Sequence, residues 1–440
     1  MSELTLLEKL FQGVDVELKT LGTLGEFIRG NGMQKKDFVE TGFPAIHYGQ
    51  IYTKYNLSTE KTFTFVSDEL AKKLKKAKKN DLLLATTSEN DEDVVKPLAW
   101  LGEEETAISG DMMLFRHNQN VKYLAYYFQT AAFQEQKRKY ITGAKVRRVS
   151  SGDLSKITAP IPCPENPKKS LEIQAEIVRI LDTFTSLTTE LTTELTTELS
   201  ARKRQFKHYR DELLSFKNSE VEWKPLGEIG DFIRGKRFTK ADYVDEGIDV
   251  IHYGEIYTEY GVSANHARSQ VRAEMAASLR YAEPNDVVIT DVGETVEDVG
   301  KAVAWLGNDK VAIHDHCYAF RHSMNPKFVA YCMQTTNFIV GKAKYVVRAK
   351  VKTLLINGFS KVCIPVPPLE EQERIVAILD KFDTLTSSIS EGLPREIKLR
   401  QQQYEYYRDL LLNFPKPVAT EVQYEQEDHQ HNHKESPCLT

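Results

Sequence analysis

Between Ile177 and Phe216 apolar residues return every three or four positions: Ile177, Ile180, Phe184, Leu187, Leu191, Leu195, Leu199, then Phe206, Tyr209, Leu213 and Phe216. Between Ile375 and Phe414 the series recurs as Ile375, Ile378, Phe382, Leu385, Ile389, Leu393, Ile397, then Tyr404, Tyr407, Leu411 and Phe414. This spacing is the seam of a coiled coil. Each segment would span roughly 65–70 Å if helical throughout. Elsewhere the pattern changes to short apolar runs with glycine at the corners. Phe27-Ile28, Ala45 to Tyr48, Asp81 to Ala85 and Met112 to Phe115 predict strands, and Lys122 to Gln136 predicts a helix. The expected class is α+β: two pseudo-symmetric α/β domains separated by a pair of long antiparallel coiled-coil helices.

The domains are copies of one another. A shift of 205 carries Phe27-Ile28-Arg29-Gly30 onto Phe232-Ile233-Arg234-Gly235 and Ile46-His47-Tyr48-Gly49 onto Ile251-His252-Tyr253-Gly254. It also carries Ile51-Tyr52-Thr53 onto Ile256-Tyr257-Thr258, and Phe115-Arg116-His117 onto Phe320-Arg321-His322. In the helical segments the shift falls to 198, because the first copy holds additional residues around Glu165-Asn166-Pro167. A domain-sized period means tandem duplication and not a solenoid. Two linked readers suit duplex DNA, whose strands are themselves related by a two-fold. Leu187 to Leu199 reads Leu-Thr-Thr-Glu three times and then Leu. Threonine is a poor helix former, so an exact tandem unit looks like a length-setting insert. Gly392 and Pro394 fall in the middle of the second stripe, where proline should kink or break the helix.

Length and composition narrow the classes. The 440 residues carry a net charge of −5, which argues mildly against a stand-alone DNA binder. That charge fits a reader whose phosphate contacts are partly supplied by another subunit. No apolar run spans a bilayer and the first ten residues have no secretory pattern, so no membrane association is expected. Cys163, Cys317, Cys332, Cys363 and Cys438 lack metal spacing, as expected of reduced thiols in a cytoplasm. There is no Asn/Asp-Pro-Pro-Tyr methyltransferase motif, no glycine-rich cofactor loop, no P-loop and no nuclease carboxylate–lysine set. The chain therefore reads as non-catalytic.

These features resemble the specificity subunit of type I restriction-modification enzymes. The resemblance rests on the domain–helix–domain–helix plan, Pro367-Pro368-Leu369-Glu370-Glu371-Gln372, the Thr-Thr-Glu-Leu repeat, and Tyr406-Tyr407-Arg408-Asp409-Leu410-Leu411. It implies a DNA-specificity subunit whose target recognition domains each read half of a split, asymmetric site. The helices would set the spacing, through Leu187, Leu191, Leu195 and Leu199, and would dock two modification (methyltransferase) subunits. S-adenosylmethionine would sit on those subunits, with ATP and magnesium on a restriction/motor subunit and no cofactor on this chain. The parts are expected at 1–20 (a segment packing near the second helix end), 21–164 and 218–366 (recognition domains), 165–217 and 367–416 (helices), and 417–440 (a disordered tail). The alternatives are an enzyme with an unrecognised site, or a stand-alone bipartite DNA-binding or scaffold protein.

Candidate DNA contacts are the basic runs late in each domain. In the first copy these are Lys137, Arg138, Lys139, Lys145, Arg147 and Arg148; in the second, Lys342, Lys344, Arg348, Lys350 and Lys352. Such groups clamp phosphates, and an arginine among them could take a guanine bidentately. Arg29 and Arg234, His47 and Tyr48, and His252 and Tyr253 are further candidates, although Ile-His-Tyr-Gly also suits a structural turn. The acidic stretches Glu89, Glu92, Asp93 and Glu294, Glu297, Asp298 could accept from cytosine or cap a loop. Lys72 to Lys79 is expected to be a surface helix. His314-Asp315-His316-Cys317 has no counterpart in the first copy, so no metal is expected there, and His429, His431 and His433 lie in the tail.

Overall fold

The structure, a computed structural model, describes residues 11–217, 220–348, 350–387 and 391–414, without the side chain of Arg348. The expected tail, the first half of the N-terminal segment and the stripe residue Ile389 lie outside these residues. The chain divides into two units, Met1–Thr188 with Gln401–Thr440, and Thr189–Arg400.

Each unit is built on two five-stranded sheets with the same strand order. In the first, Gly25–Arg29, Met112–His117, Leu82–Ala85, Lys96–Trp100 and Ser58–Thr59 lie side by side. In the second, Gly230–Arg234, Cys317–His322, Val287–Thr290, Ala302–Trp305 and Ser263–Ala264 repeat the arrangement. Register repeats as well: Phe115 lies opposite Phe27 and Leu82, and Phe320 opposite Phe232 and Val287. The central strands are apolar without interruption because both faces are covered. Leu82, Leu84, Met113 and Phe115 enter one core, while Leu83, Ala85, Met112 and Leu114 enter another.

The predicted helix from Lys122 to Gln136 is two helices, Val121–Tyr127 and Ala131–Arg138. Thr130 restarts the chain as an N-cap, its hydroxyl accepting from Phe133 N. Lys72 to Lys79 is not a surface helix. Asp68–Ala71 is a single helical turn, and Lys76-Ala77 is a strand whose lysine lies over the Phe43 ring.

The first coiled-coil stripe is one helix of 47 residues, Pro167–Leu213. The second is two helices, Leu369–Ser387 and Gly392–Leu412. The interruption falls beside Gly392, which has φ of +75°, and Pro394, where sequence places it. In the first unit Phe184 meets Tyr407 and Thr185 meets Tyr404; in the second Phe206 meets Phe382. One number rises as the other falls, so the segments run antiparallel. Leu187, expected in the buried stripe, is 52 % exposed, and Leu191, Leu195 and Leu199 are half-buried. The spacer seam is thus shallower than its spacing implied. Its threonines are accommodated by bonding back one turn: the hydroxyls of Thr193, Thr196 and Thr197 donate to the carbonyls of Thr189, Thr192 and Thr193.

Each globular part is seated on two helix segments by the same side chains. Gln174, fully buried, accepts from Asn120 N at 3.0 Å, and Gln372 accepts from Asn325 N at 2.8 Å. Asp182 takes Lys122 Nζ and Tyr126 Oη, as Asp380 takes Lys327 Nζ and Tyr331 Oη. The far helix ends close the other side. Asp409 accepts from Ala131 N at 2.9 Å, and Asp211 accepts from Thr336 Oγ1 at 2.5 Å. Leu411 and Leu412 enter the first unit's core, with Phe11 against Phe414 at 4.9 Å between ring centroids.

Candidate nucleic-acid interface

The repeated blocks are mostly structural. His47 and His252 are N-caps: each Nδ1 accepts from the N–H two residues on, Gly49 at 3.2 Å and Gly254 at 3.1 Å. Gln50 and Glu255 return the bond to the histidine N–H. Arg116 and Arg321 are held by the buried Asp81 and Asp286. His117 and His322 accept a backbone N–H at Nδ1, and both Nε2 atoms are buried without a partner. Burial pushes both imidazoles down to about 4.

Beside the first cap lies an open depression lined by Arg29, Gly30, Met33, His47, Tyr48 and Asp111. A Cβ on Gly30 would stand 2.1 Å from the carbonyl oxygen of Ser109, so only glycine lets the strands close here; Gly235 has the same relation to His314. Arg29 is exposed, with Nε donating to Gly110 O at 3.3 Å. The second unit differs at this point. Arg234 Nε donates to Asp315 O at 3.1 Å, and its guanidinium lies 3.5 Å from Asp291. His316 Nδ1 lies 2.9 Å from the same carboxylate, and Tyr253 packs against the His252, His314 and His316 rings. His314 Nδ1 accepts from His316 N, and burial pushes this imidazole down to about 4. Among the described residues no group of three His, Cys, Asp or Glu side chains is placed to hold a metal.

The basic runs separate into two kinds. Lys137, predicted to hold phosphate, is 1 % exposed and donates to Glu92 O at 2.9 Å and Val94 O at 2.8 Å. Lys342 is also 1 % exposed and donates to Glu297 O at 2.8 Å and to the carbonyl of Val299. Neither ammonium has a face left for DNA, so both are corrected from contacts to internal staples. Burial pushes each down to about 8, against the upward pull of nearby carboxylates. Arg138, Lys139 and Lys344 end the helices that carry these two lysines, and the others stand on or beside a small sheet at the rim. Arg147-Arg148 pairs with Thr87-Ser88, and Lys145 is exposed in the turn before it. In the second unit Val346–Arg348 and Lys352–Leu354 form a hairpin with Lys350 exposed between them, and Lys352 lies opposite Gly293. Arg147 Nε binds Asp91 at 2.7 Å. Asp93 and Asp298 cap their own loops, accepting from Asn90 and Thr295.

Sequence reasoning missed the two hydroxyls that share this work. Tyr52 Oη donates to Thr87 O and Asp93 O, and Tyr257 Oη donates to Val292 O and Asp298 O. Their recurrence in Ile-Tyr-Thr was the available signal.

The chain is thus a duplicated two-sheet unit mounted on antiparallel helices, with basic side chains on a small sheet in each copy. Residues 13–201 and 218–399 match the family described as type I restriction modification DNA specificity domain, and the chain belongs to that family. It is 34 % identical over 434 residues to the type I restriction enzyme EcoR124I/EcoR124II specificity subunit of Escherichia coli, covering 95 % of this chain and 99 % of that one. It is 31 % identical over 396 residues to the EcoprrI specificity subunit of the same species, covering 89 % and 93 %. The fold is shared with the HsdS subunit from Thermoanaerobacter tengcongensis, at TM-score 0.50 and 18 % identity over 91 % of this chain and 96 % of that one. A chain from a type I R-M system, solved to describe its assembly and conformational transition, gives TM-score 0.61 at 16 % identity, covering 90 % and 97 %.

Proposed function

We propose that this chain is the non-catalytic specificity subunit that directs a type I methyltransferase and endonuclease complex to a split DNA site. Recognition domains at 21–164 and 218–366 would each read one half. The observation that carries this reading is one unit built twice to the same register with different side chains in and around the depression beside its cap. Ser109, Gly110 and Asp111 stand in one copy where His314, Asp315 and His316 stand in the other. Different donors and acceptors at matching positions select different bases, so the two half-sites should differ.

Lys145, Arg147, Arg148, Arg348, Lys350 and Lys352 are assigned to phosphate and base contact from the rim hairpins. Arg29, His47 and Tyr48, with Arg234, His252 and Tyr253, are assigned to the depressions beside the caps. The histidines act there chiefly by shaping the helix start. Two modification subunits would dock on the helices, to which the half-exposed Leu187 contributes apolar surface, and would bring S-adenosylmethionine. A restriction subunit would bring ATP and magnesium. No helix among the described residues is long and apolar enough to cross a membrane, which suits a protein working on cytoplasmic DNA.

The test is methylome sequencing of cells expressing this chain with its modification subunit. The expected result is an asymmetric motif of two specific halves around a fixed gap. A palindromic motif, or no new methylation, would overturn the reading.

A further inference from the structure

The acidic loop of each unit is closed by the same pair of donors. In the first, the carbonyls of Glu92, Asp93 and Val94 all turn inward, to Lys137 Nζ, Tyr52 Oη and Lys137 Nζ. In the second, the carbonyls of Glu297, Asp298 and Val299 turn inward to Lys342 Nζ, Tyr257 Oη and Lys342 Nζ. Lysine and tyrosine come from helices, Ala131–Arg138 with Tyr48–Thr53 and Thr336–Ala343 with Tyr253–Thr258. The loop is thereby fixed to rigid elements on its inner side.

Its outer side bears the basic rim. Thr87-Ser88 leads into the first loop and pairs with Arg147-Arg148, and Asp91 within the loop binds Arg147. Val292-Gly293 leads into the second and pairs with Lys352-Thr353. A buried ammonium is expensive, and an apolar side chain of the same volume would fill the space as well or better. What an apolar chain cannot do is hold successive inward carbonyls.

Resting on the DNA-reading conclusion above, we propose that Lys137 and Lys342 are positioning residues for recognition. Each sets the loop and basic rim of its own unit, and so governs one half of the DNA site. Neither touches DNA. Their action is confined to their own unit because every partner named here lies within it.

The experiment uses the full chain assembled with its modification subunits and duplexes altered in one half-site or the other. Lys137→Met should lose discrimination at one half-site by about tenfold or more, the equivalent of one hydrogen bond to a charged group, with the other half-site read as before. Lys342→Met should do the reverse. Tyr52→Phe and Tyr257→Phe, which remove one hydroxyl each, should follow the same sides with smaller losses, and they decide the matter if the methionine variants do not fold. Equal losses at both half-sites, or a lowered Tm with discrimination unchanged, would overturn the proposal and leave the lysines as general stabilisers. A wild-type complex showing no sequence-dependent methylation would instead remove the DNA-reading conclusion beneath it.

Discussion

Deleting Thr188 to Leu191 tests the spacer most directly. The four residues lie inside the uninterrupted helix Pro167–Leu213. Their loss shortens the helix by ~6 Å and turns everything beyond it by ~400°, a net ~40°. One base pair turns the duplex by roughly 34–36°. The threonine hydroxyls bond to carbonyls one turn back, which any residue supplies, so the remaining repeats keep their local bonding. The variant should keep both half-site sequences and lose one base pair from the gap. Deleting Thr188 alone turns the helix beyond it by ~100° instead. Phe206 turns together with its partners Tyr331 and Phe382, so the misfit falls on the returning helix Gly392–Leu412, whose Tyr404 and Tyr407 must still meet Thr185 and Phe184 ahead of the deletion. That variant should fail to assemble. The assays are methylation motif sequencing and thermal unfolding. An unchanged gap in the four-residue deletion, or a well-folded single deletion, would refute the reasoning.

Other outcomes follow from the same contacts. His117 and His322 are held near 4 in the fold and rise to the ordinary histidine value on unfolding, so the unfolded chain takes up protons that the folded chain refuses. Stability should be full above pH ~6.5 and fall as pH drops toward 4, by on the order of 3 kcal/mol per histidine, and His117→Gln should flatten the pH dependence of Tm. Asp409→Ala removes the carboxylate capping Ala131–Arg138 and should cost about 1 kcal/mol in thermal or denaturant unfolding, as Asp211→Ala should for Thr336–Ala343. Lys350→Ala should weaken binding to all sequences and lessen the slope of log affinity against log salt by about one counterion; an unchanged slope returns Lys350 to an ordinary solvated residue.

The sequence by itself determined the plan: the duplication, the two stripes, their threes and fours, the break at Gly392 and Pro394, and the family. Those properties are periodic, and periodicity is written along one dimension. The core strands were legible for the same reason, since a strand covered on both faces must be apolar throughout. What sequence could not rank was the role of each charged residue. Lys137 and Lys145 are equal in type and eight positions apart, yet one is buried on carbonyls 43 and 45 residues away while the other stands in solvent. Burial of a charge depends on which backbone groups arrive beside it from elsewhere in the chain, and only the tertiary structure brings them. The same holds for Leu187, whose spacing marks a seam but whose exposure is set by what lies opposite. The motif end Tyr-Tyr-Arg-Asp-Leu-Leu was visible as a string, but its purpose appeared only when Asp409 met the start of Ala131–Arg138, 278 residues earlier.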